Sequence, residues 1–294
     1  VNGDGRVIGV GFERPDGKLE RLGCRVLLLA CNGFGGNGAL VRELLPEMRD
    51  AIYAGHAGND GSALLWGRAL GAQLADLGGY QGHGSWVVPQ GALMTWAVMM
   101  EGGVQINRRG QRFHDETQGY SEAAVQVLAQ PEGVAWNVFD EPLLALAREF
   151  PDFREAEAAG ALRRADDVET LAKLIGCDVE ALQQTLREIM PGPAAVPDRF
   201  GRSFRRALVP PYFAVKVSGA LFHTQGGLAV DAACRVLRND LSTFVNLLAA
   251  GGAARGVSGN TVEGYLSGNG LLSAVAGGWI AAATCERQLK EKST

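Results

Sequence analysis

Two glycine-rich turns have the composition of ligand-binding loops. The run Gly33-Phe-Gly-Gly-Asn-Gly38 follows an apolar strand and precedes a helix, like the GxGxxG turn that brings backbone close to a pyrophosphate. Its helix is short, because Pro46 follows, and no acidic strand end comes about 20 residues later. The run Ser267-Gly-Asn-Gly270 opens the last helix, whose free N–H groups could face a carbonyl or a phosphate. Each turn has a structural alternative, a capped helix with close-packed glycines.

Two histidines stand where the pattern of the sequence changes. His83 comes where alternating apolar and polar residues begin, and His223 comes where a glycine-rich α/β pattern returns. Ligands often bind at the junction between domains, although a lone histidine can also be purely structural. The pair Asp115-Glu116 could act as a general acid or form solvated structural salt bridges.

Composition excludes several other functions. The net charge of -4 provides no basic excess for nucleic acid, and no His/Cys cluster indicates a metal site. Neither a GxSxG turn nor a cysteine beside a histidine is present, which argues against a nucleophilic hydrolase. The five cysteines are odd in number and far apart, which favours a reducing compartment, the cytoplasm. The apolar runs are too short or too glycine-rich for a membrane span, and no signal peptide is evident.

The elements that would position these residues follow an α/β, helical, α/β order. Apolar periodicity and turn residues predict a strand and three helices at the two ends of the chain: strand 24–31 and helices 39–45, 62–77 and 271–289. Residues 141–190 are strongly helical and more charged. The fold class is therefore α/β (α+β), with one domain (1–80 and 212–294) interrupted by a second (81–211).

Seven motifs, in order along the chain, resemble those of the fumarate reductase/succinate dehydrogenase flavoprotein family. They are Leu28-Leu-Ala-Cys-Asn-Gly-Phe34, Gly58-Asn-Asp-Gly61, Ile106-Asn-Arg-Arg-Gly-Gln-Arg-Phe-His-Asp-Glu116, Pro210-Pro-Tyr212, His223-Thr-Gln-Gly-Gly227 with Arg235-Val-Leu237, Leu247-Leu-Ala-Ala-Gly251 and Gly264-Tyr-Leu-Ser-Gly-Asn-Gly-Leu271. One such motif would be weak, but seven in family order are specific.

The resemblance implies a Rossmann-like FAD-binding domain with an inserted capping domain that covers the substrate. It implies hydride transfer between the flavin and a carbon beside an electron-withdrawing group, with a protein group handling the second proton. The cofactor-binding positions it implies are Ala30, Cys31, Asn32, Gly33, Asp60, Gly251, Gly252, Ser267, Gly268, Asn269, Gly270, Leu271 and Leu272.

The same resemblance implies four catalytic residues. His83 and His223 match the family's substrate-binding histidines. Tyr120 falls where the family has its catalytic arginine, and Tyr265 falls where it has a substrate-clamping arginine. Gly252 falls where relatives have a glutamate. Two tyrosines in these places are similar to the 3-ketosteroid dehydrogenase branch, and other segments resemble tricarballylate dehydrogenases. We therefore expect an FAD-dependent oxidoreductase that acts on a CH–CH bond of a small carboxylate or ketone, with an unidentified electron donor or acceptor.

The chain begins at Val1, within a strand-like pattern, and the resemblance covers the second half of the family. The N-terminal GxGxxG strand-turn of the family is absent from it. We therefore expect the C-terminal portion of a longer enzyme, which is inactive alone because its FAD site is incomplete. The alternative is an incomplete flavoprotein half or binding module with no catalytic activity.

Overall fold

The computed structural model describes residues 1–2, 5–189 and 197–290. Within them the strands are β1 (Gly9–Glu13), β2 (Leu19–Gly23), β3 (Leu27–Leu29), β4 (Ile52–Tyr53), β5 (Leu74–Ala75), β6 (Tyr80–Val87), β7 (Ala92–Leu93), β8 (Val104–Ile106), β9 (Val134–Asp140), β10 (Arg163–Ala165), β11 (Tyr212–Thr224), β12 (Gly227–Leu228), β13 (Arg235–Leu237) and β14 (Thr243–Ala249). The α-helices are α1 (Gly38–Leu44), α2 (Ser62–Ala69), α3 (Ala97–Met100), α4 (Tyr120–Leu128), α5 (Glu141–Ala147), α6 (Pro151–Ala158), α7 (Val168–Ile175), α8 (Val179–Glu188) and α9 (Asn269–Lys290). This mixture of helices and sheets confirms the α/β class.

The chain divides into two compact units. Unit 1 comprises Val1–Pro46, Gly55–Gln81 and Phe222–Thr294, and unit 2 comprises Glu47–Ala54 and Gly82–Leu221. Both units are discontinuous in sequence, so the sheets of each unit combine strands from distant parts of the chain.

The central sheet of unit 1 has the order β13-β14-β3, with β3 parallel to β14. Leu29 packs into one core cluster, together with Ala63 of α2. Leu28 packs into a second cluster, together with Ala281 of α9. Because helices cover both faces, β3 is a continuous apolar run rather than an alternating one, as the sequence predicts.

Helix α2 ends earlier than the sequence pattern predicts. The periodicity suggests a helix to residue 77, but α2 ends at Ala69. Gly71 adopts a left-handed φ of +76°, and the Ala72 N–H donates back to the Gly67 carbonyl, which closes a Schellman motif. The chain then enters β5, which pairs antiparallel with β12, so tertiary pairing overrides the helical pattern.

Unit 2 is built on a seven-stranded sheet. The order β7-β6-β11-β9-β8 forms its main path, and β4 and β10 also pair with β11. Helices α3 to α8 pack with this sheet around a core that includes Val98, Phe139 and Val215. The stretch 141–190, predicted to be strongly helical, contains α5–α8 and the short strand β10, and Met190 lies outside the described residues.

A buried ion-pair cluster fixes the loop before α4. Glu116 is fully buried, and its carboxylate accepts hydrogen bonds from Arg112 (2.6 Å) and Arg202 (2.7 Å). Arg112 also pairs with Asp198. Although burial opposes ionisation, these arginines hold the Glu116 pKa below its usual range. Of the two readings of Asp115-Glu116, the structural salt bridge therefore applies to Glu116, but it is buried rather than solvated.

No helix within the described ranges combines the length and apolar character needed to cross a membrane.

Candidate functional site

A cavity of about 660 Å³ opens in unit 1 where the loops after β3 and β14 meet the first turns of α9. Ten of the predicted site residues line it: Ala30, Asn32, His223, Gly251, Gly252, Tyr265, Ser267, Gly268, Gly270 and Leu271. These residues come from parts of the chain more than 200 positions apart. The fold therefore brings most of the predicted cofactor site together with two of the four predicted catalytic residues.

The other predicted cofactor residues lie outside this lining. Cys31 is exposed, and Gly33 is buried beside Asn32. Asp60 accepts hydrogen bonds from the backbone and hydroxyl of Ser62, which hold its pKa below the usual value. Leu272 is exposed on α9. Their cofactor roles remain predictions from the resemblance.

The turn after β3 is shaped by an unusual asparagine. Asn32 has a left-handed φ of +64°, which asparagine tolerates better than most residues. Its Oδ1 accepts a hydrogen bond from the Gly33 N–H at 2.9 Å. A Cβ on Gly252 would lie 2.0 Å from that oxygen, so a side chain at position 252 would force the Asn32 amide to move. The two loops can approach closely because position 252 has no side chain.

A buried hydrogen bond and two glycines fix the first turn of α9. Asn269 is buried, and its Nδ2 donates to the Ser258 Oγ at 2.7 Å. Gly268 has a φ of +91°, which favours glycine. A Cβ on Gly270 would lie 2.4 Å from His223 Nε2. The missing side chain thus permits the histidine ring to lie directly against the start of the helix.

The hydrogen bonds of His223 define its neutral tautomer. Its Nδ1 lies 2.8 Å from the Thr224 carbonyl oxygen, which can only accept, so Nδ1 carries the proton. Its Nε2 then accepts from the Gln225 amide at 2.9 Å. Burial lowers the His223 pKa, although the Thr224 carbonyl opposes this. In the neutral ring Nε2 is therefore the acceptor, and the Gln225 amide occupies it.

His83 and Tyr120 come together within unit 2. Their rings stack with centroids 4.9 Å apart, and the Trp96 ring meets His83 edge-on at 5.9 Å. His83 Nδ1 accepts from the Ser85 N–H at 3.1 Å, so the neutral ring carries its proton on Nε2. Burial lowers the His83 pKa to about 3. His83 is thus a neutral donor at Nε2, the opposite of His223.

The lining of the unit 1 cavity contains no Asp, Glu, Lys or Arg among the described residues. Its polar side chains are Asn32, Gln81, His223, Tyr265 and Ser267. A ligand bound here would meet dipoles and hydrogen-bonding groups rather than full charges.

The other glycine-rich turn serves a local purpose. The Asn37 side chain accepts from the N–H groups of Ala39 and Leu40, which caps the seven-residue helix α1. These donors are already used, so the structure favours the capped-helix alternative for Gly33-Phe-Gly-Gly-Asn-Gly38.

Five lining residues were not predicted from the sequence: Leu28, Gln81, Ala250, Ala274 and Gly278. Ala274 and Gly278 continue the line of small residues from Gly270 at a spacing of four along α9. That spacing places them on one helix face and is the signal that could have identified them. Leu28 and Gln81 carry no comparable signal.

The fold is a mixed α/β fold in which the chain of unit 1 is interrupted by segments of unit 2. A sequence profile described as "FAD binding domain" matches residues 1–271, so this chain belongs to the family of FAD-binding domains.

Named relatives confirm the resemblance to fumarate reductase flavoproteins. The chain is 29% identical to a probable fumarate reductase of Shewanella frigidimarina, over 99% of the chain and 49% of the relative. It is 26% identical to a 3-oxosteroid 1-dehydrogenase of Mycobacterium tuberculosis, over 88% of the chain and 52% of the relative. The structure of the open conformation of a flavocytochrome c3 fumarate reductase matches with a TM-score of 0.79 and 28% identity, over 98% of this chain and 50% of that one. The chain thus spans about half the length of these relatives.

Proposed function

We propose that this chain forms part of an FAD-dependent oxidoreductase that adds or removes hydrogen across a C–C bond next to a carbonyl group. The observation that carries the proposal is the cavity of unit 1, where eight predicted cofactor residues meet His223 and Tyr265. Unit 1 would hold the cofactor, and unit 2 would supply His83 and Tyr120 as a capping domain.

The cavity has properties that suit a flavin nucleotide. Its volume of about 660 Å³ lies in the range of small-molecule sites, roughly 300–1,000 Å³. Side chains at Gly252 and Gly270 would collide with Asn32 and His223, so both glycines keep the walls closely packed. Asn32, Ser267 and the loop at Gly251–Gly252 would hold the cofactor. When bound, FAD would accept or donate the hydride.

The residues of this chain would bind the substrate and move its proton. His83 carries its proton on Nε2 at neutral pH, so it can donate to a carbonyl oxygen without being charged. Tyr265 in unit 1 and Tyr120 in unit 2 would be the groups that transfer a proton or polarise the carbonyl.

A ketone suits these residues better than a dicarboxylate. Carboxylates are usually held by arginine in bidentate pairs, and the described lining has no arginine. Its histidine is kept neutral by burial. The relationship to a 3-oxosteroid 1-dehydrogenase supports this choice, whereas the relationship to a probable fumarate reductase supports a carboxylate. Tricarballylate remains a prediction from sequence.

We also infer a cytoplasmic location and a separate electron donor or acceptor. The five cysteines are free thiols, which suits a reducing compartment.

The second candidate is a flavoprotein half that is inactive without further chain. In the described part of the protein, β3 is an edge strand of the unit 1 sheet. Helix α9 presents Val275 and Trp279 at 73% and 81% exposure. Apolar surface of this kind commonly marks a docking site, and the relatives are about twice as long.

The test uses the complete natural polypeptide that contains these residues. After purification, the visible absorption of bound flavin is recorded, and turnover is measured with a cyclic enone and with fumarate. We expect bound flavin and faster turnover with the enone. Tyr265→Phe should lower turnover about 100-fold or more with flavin still bound. Absence of flavin from the complete protein would refute the proposal, and turnover of fumarate alone would refute the ketone assignment.

A further inference from the structure

Gln225 is a buried side chain that contacts the ring of His223. It is 3% exposed, and it is not among the described residues that line the unit 1 cavity. Its Nε2 lies 2.9 Å from His223 Nε2, and an amide NH₂ group can only donate. The other ring nitrogen, Nδ1, is hydrogen-bonded to the Thr224 carbonyl. Gln225 therefore occupies the nitrogen of His223 that a ligand in the cavity would otherwise use.

The contacts of Gln225 hold its amide in this place. Its backbone N–H donates to the Gly79 carbonyl at 2.8 Å, and its carbonyl accepts from the Gly256 N–H at 2.8 Å. A Cβ on Gly256 would lie 2.9 Å from Gln225 Oε1, so the amide oxygen faces that glycine and the NH₂ group faces the histidine. A Cβ on Gly270 would lie 2.4 Å from His223 Nε2. This nitrogen is thus covered by the Gln225 amide and by the start of α9.

The pairing leaves neutral His223 without a proton for a carboxylate. A carboxylate has only acceptor oxygens, so it needs N–H donors. The proton on His223 Nδ1 is already donated to the Thr224 carbonyl, and Nε2 carries a lone pair. Turning the Gln225 amide over gives the same result, because Oε1 would then accept any proton that Nε2 had gained. In both orientations, Nε2 is hydrogen-bonded to Gln225 rather than to a ligand.

We infer that Gln225 is a specificity-determining residue: by occupying His223 Nε2, it withholds the histidine from a substrate carboxylate and favours an uncharged carbonyl compound. Gln225 does not line the cavity, so it is a positioning residue that acts through His223. The inference rests on the proposed function and deepens its choice of a ketone. The described lining also has no arginine, the other side chain that commonly binds a carboxylate.

Two substitutions separate the occupation of Nε2 from the charge of the ring. Gln225→Met keeps an unbranched side chain of similar size but removes the amide, so His223 Nε2 can carry a proton and donate it to a carboxylate. Gln225→Glu favours a charged ring, yet its own carboxylate still occupies Nε2. The matched control is Gln130→Met in unit 2, which removes the amide hydrogen bonds to Asn107 and to the Gln126 carbonyl.

The first measurement is inhibition of cyclic-enone turnover by fumarate, with the complete natural polypeptide. We expect Gln225→Met to lower the inhibition constant of fumarate, relative to the KM of the enone, about tenfold or more. The reason is that a hydrogen bond to a charged group is gained. Gln225→Glu should not lower this ratio, and Gln130→Met should change it less than about twofold.

The second measurement is nitrogen NMR of isotope-labelled histidine, which reports the position of the ring proton, with His223→Asn to assign the signal. Wild type should carry the proton on Nδ1 and none on Nε2, whereas Gln225→Glu should carry a proton on both. This spectrum decides the question if Gln225→Met does not fold.

A proton on His223 Nε2 in wild type, or unchanged inhibition by fumarate in folded Gln225→Met, would overturn the inference while leaving the proposed function intact. An equal gain in Gln225→Glu or in Gln130→Met would also overturn it. Absence of bound flavin or of enone turnover in the wild-type polypeptide would overturn both.

Discussion

The buried, neutral His83 should make the protein measurably less stable in mild acid. Its pKa is about 3 in the folded chain, against an ordinary value of 6.5. Between these values the unfolded chain binds a proton that the folded chain does not. Stability therefore falls as the pH drops below 6.5, by about 1.4 kcal/mol for each pH unit. From about pH 7.5 to about pH 4.5 the loss due to this one ring is roughly 2.5 kcal/mol.

The variant His83→Asn isolates this contribution. Asparagine Oδ1 can replace Nδ1 as the acceptor for the Ser85 N–H, but it does not titrate. Other titrating groups are shared by both proteins and cancel in the difference between them. Wild type should be the more stable at about pH 7.5, because the variant loses packing against Tyr120 and Trp96. That advantage should shrink by roughly 2.5 kcal/mol at about pH 4.5.

Urea unfolding followed by circular dichroism, at several pH values across this window, gives the free energies of unfolding. His56 supplies the control, because its Nδ1 accepts from the Gly58 N–H at 3.0 Å in the same local geometry, yet the residue is exposed. His56→Asn should change the free energy of unfolding by less than about 0.5 kcal/mol, because an exposed side chain loses little packing. A stability difference between wild type and His83→Asn that stays constant with pH would refute the argument that burial keeps His83 neutral.

Two further predictions concern packing and buried charge. Gly252→Ala should destabilise the apoprotein by about 1–2 kcal/mol, because its Cβ displaces the Asn32 oxygen from the Gly33 N–H. Adding Asn32→Gly should recover most of that loss in thermal unfolding, and additive losses would contradict the steric coupling. Glu116→Gln should cost about 3–5 kcal/mol in urea unfolding, since it leaves the buried Arg202 guanidinium without its carboxylate partner and Arg112 with Asp198 alone. Glu157→Gln, at a more exposed pair with Arg148, should cost less than about 1 kcal/mol, and equal costs would show that burial of the cluster is unimportant.

Local sequence signals were sufficient for the turns and elements around the cavity. The apolar run of β3 predicts a strand covered on both faces, and α9 covers 269–290 where periodicity predicts 271–289. Motif order was enough to bring Asn32, Gly252 and Gly270 into one site. These signals are readable because the residues that define each element or motif lie close together in the sequence.

Signals that depend on distant contacts could not be read in this way. The end of α2 is set by pairing of β5 with β12, about 150 residues away in sequence. The opposite tautomers of His83 and His223 follow from neighbouring donors and carbonyls, which residue types alone do not specify. The burial of Glu116 depends on Arg202, 86 positions later. In each case, no sequence pattern identifies the residue or strand that forms the contact.

The parallel pairing of β3 with β14 also orders events in time. Leu27 pairs with Leu247, 220 residues later in the chain. At about 5–20 residues per second, a ribosome needs roughly 10–40 s to make the intervening segment. The strands of unit 2 are synthesised within that interval. The sheet of unit 2 can therefore form before β14, the partner of β3, has been synthesised. The cavity walls at Asn32 and Gly252 can meet only after synthesis has passed Gly252, which lies 220 residues beyond Asn32.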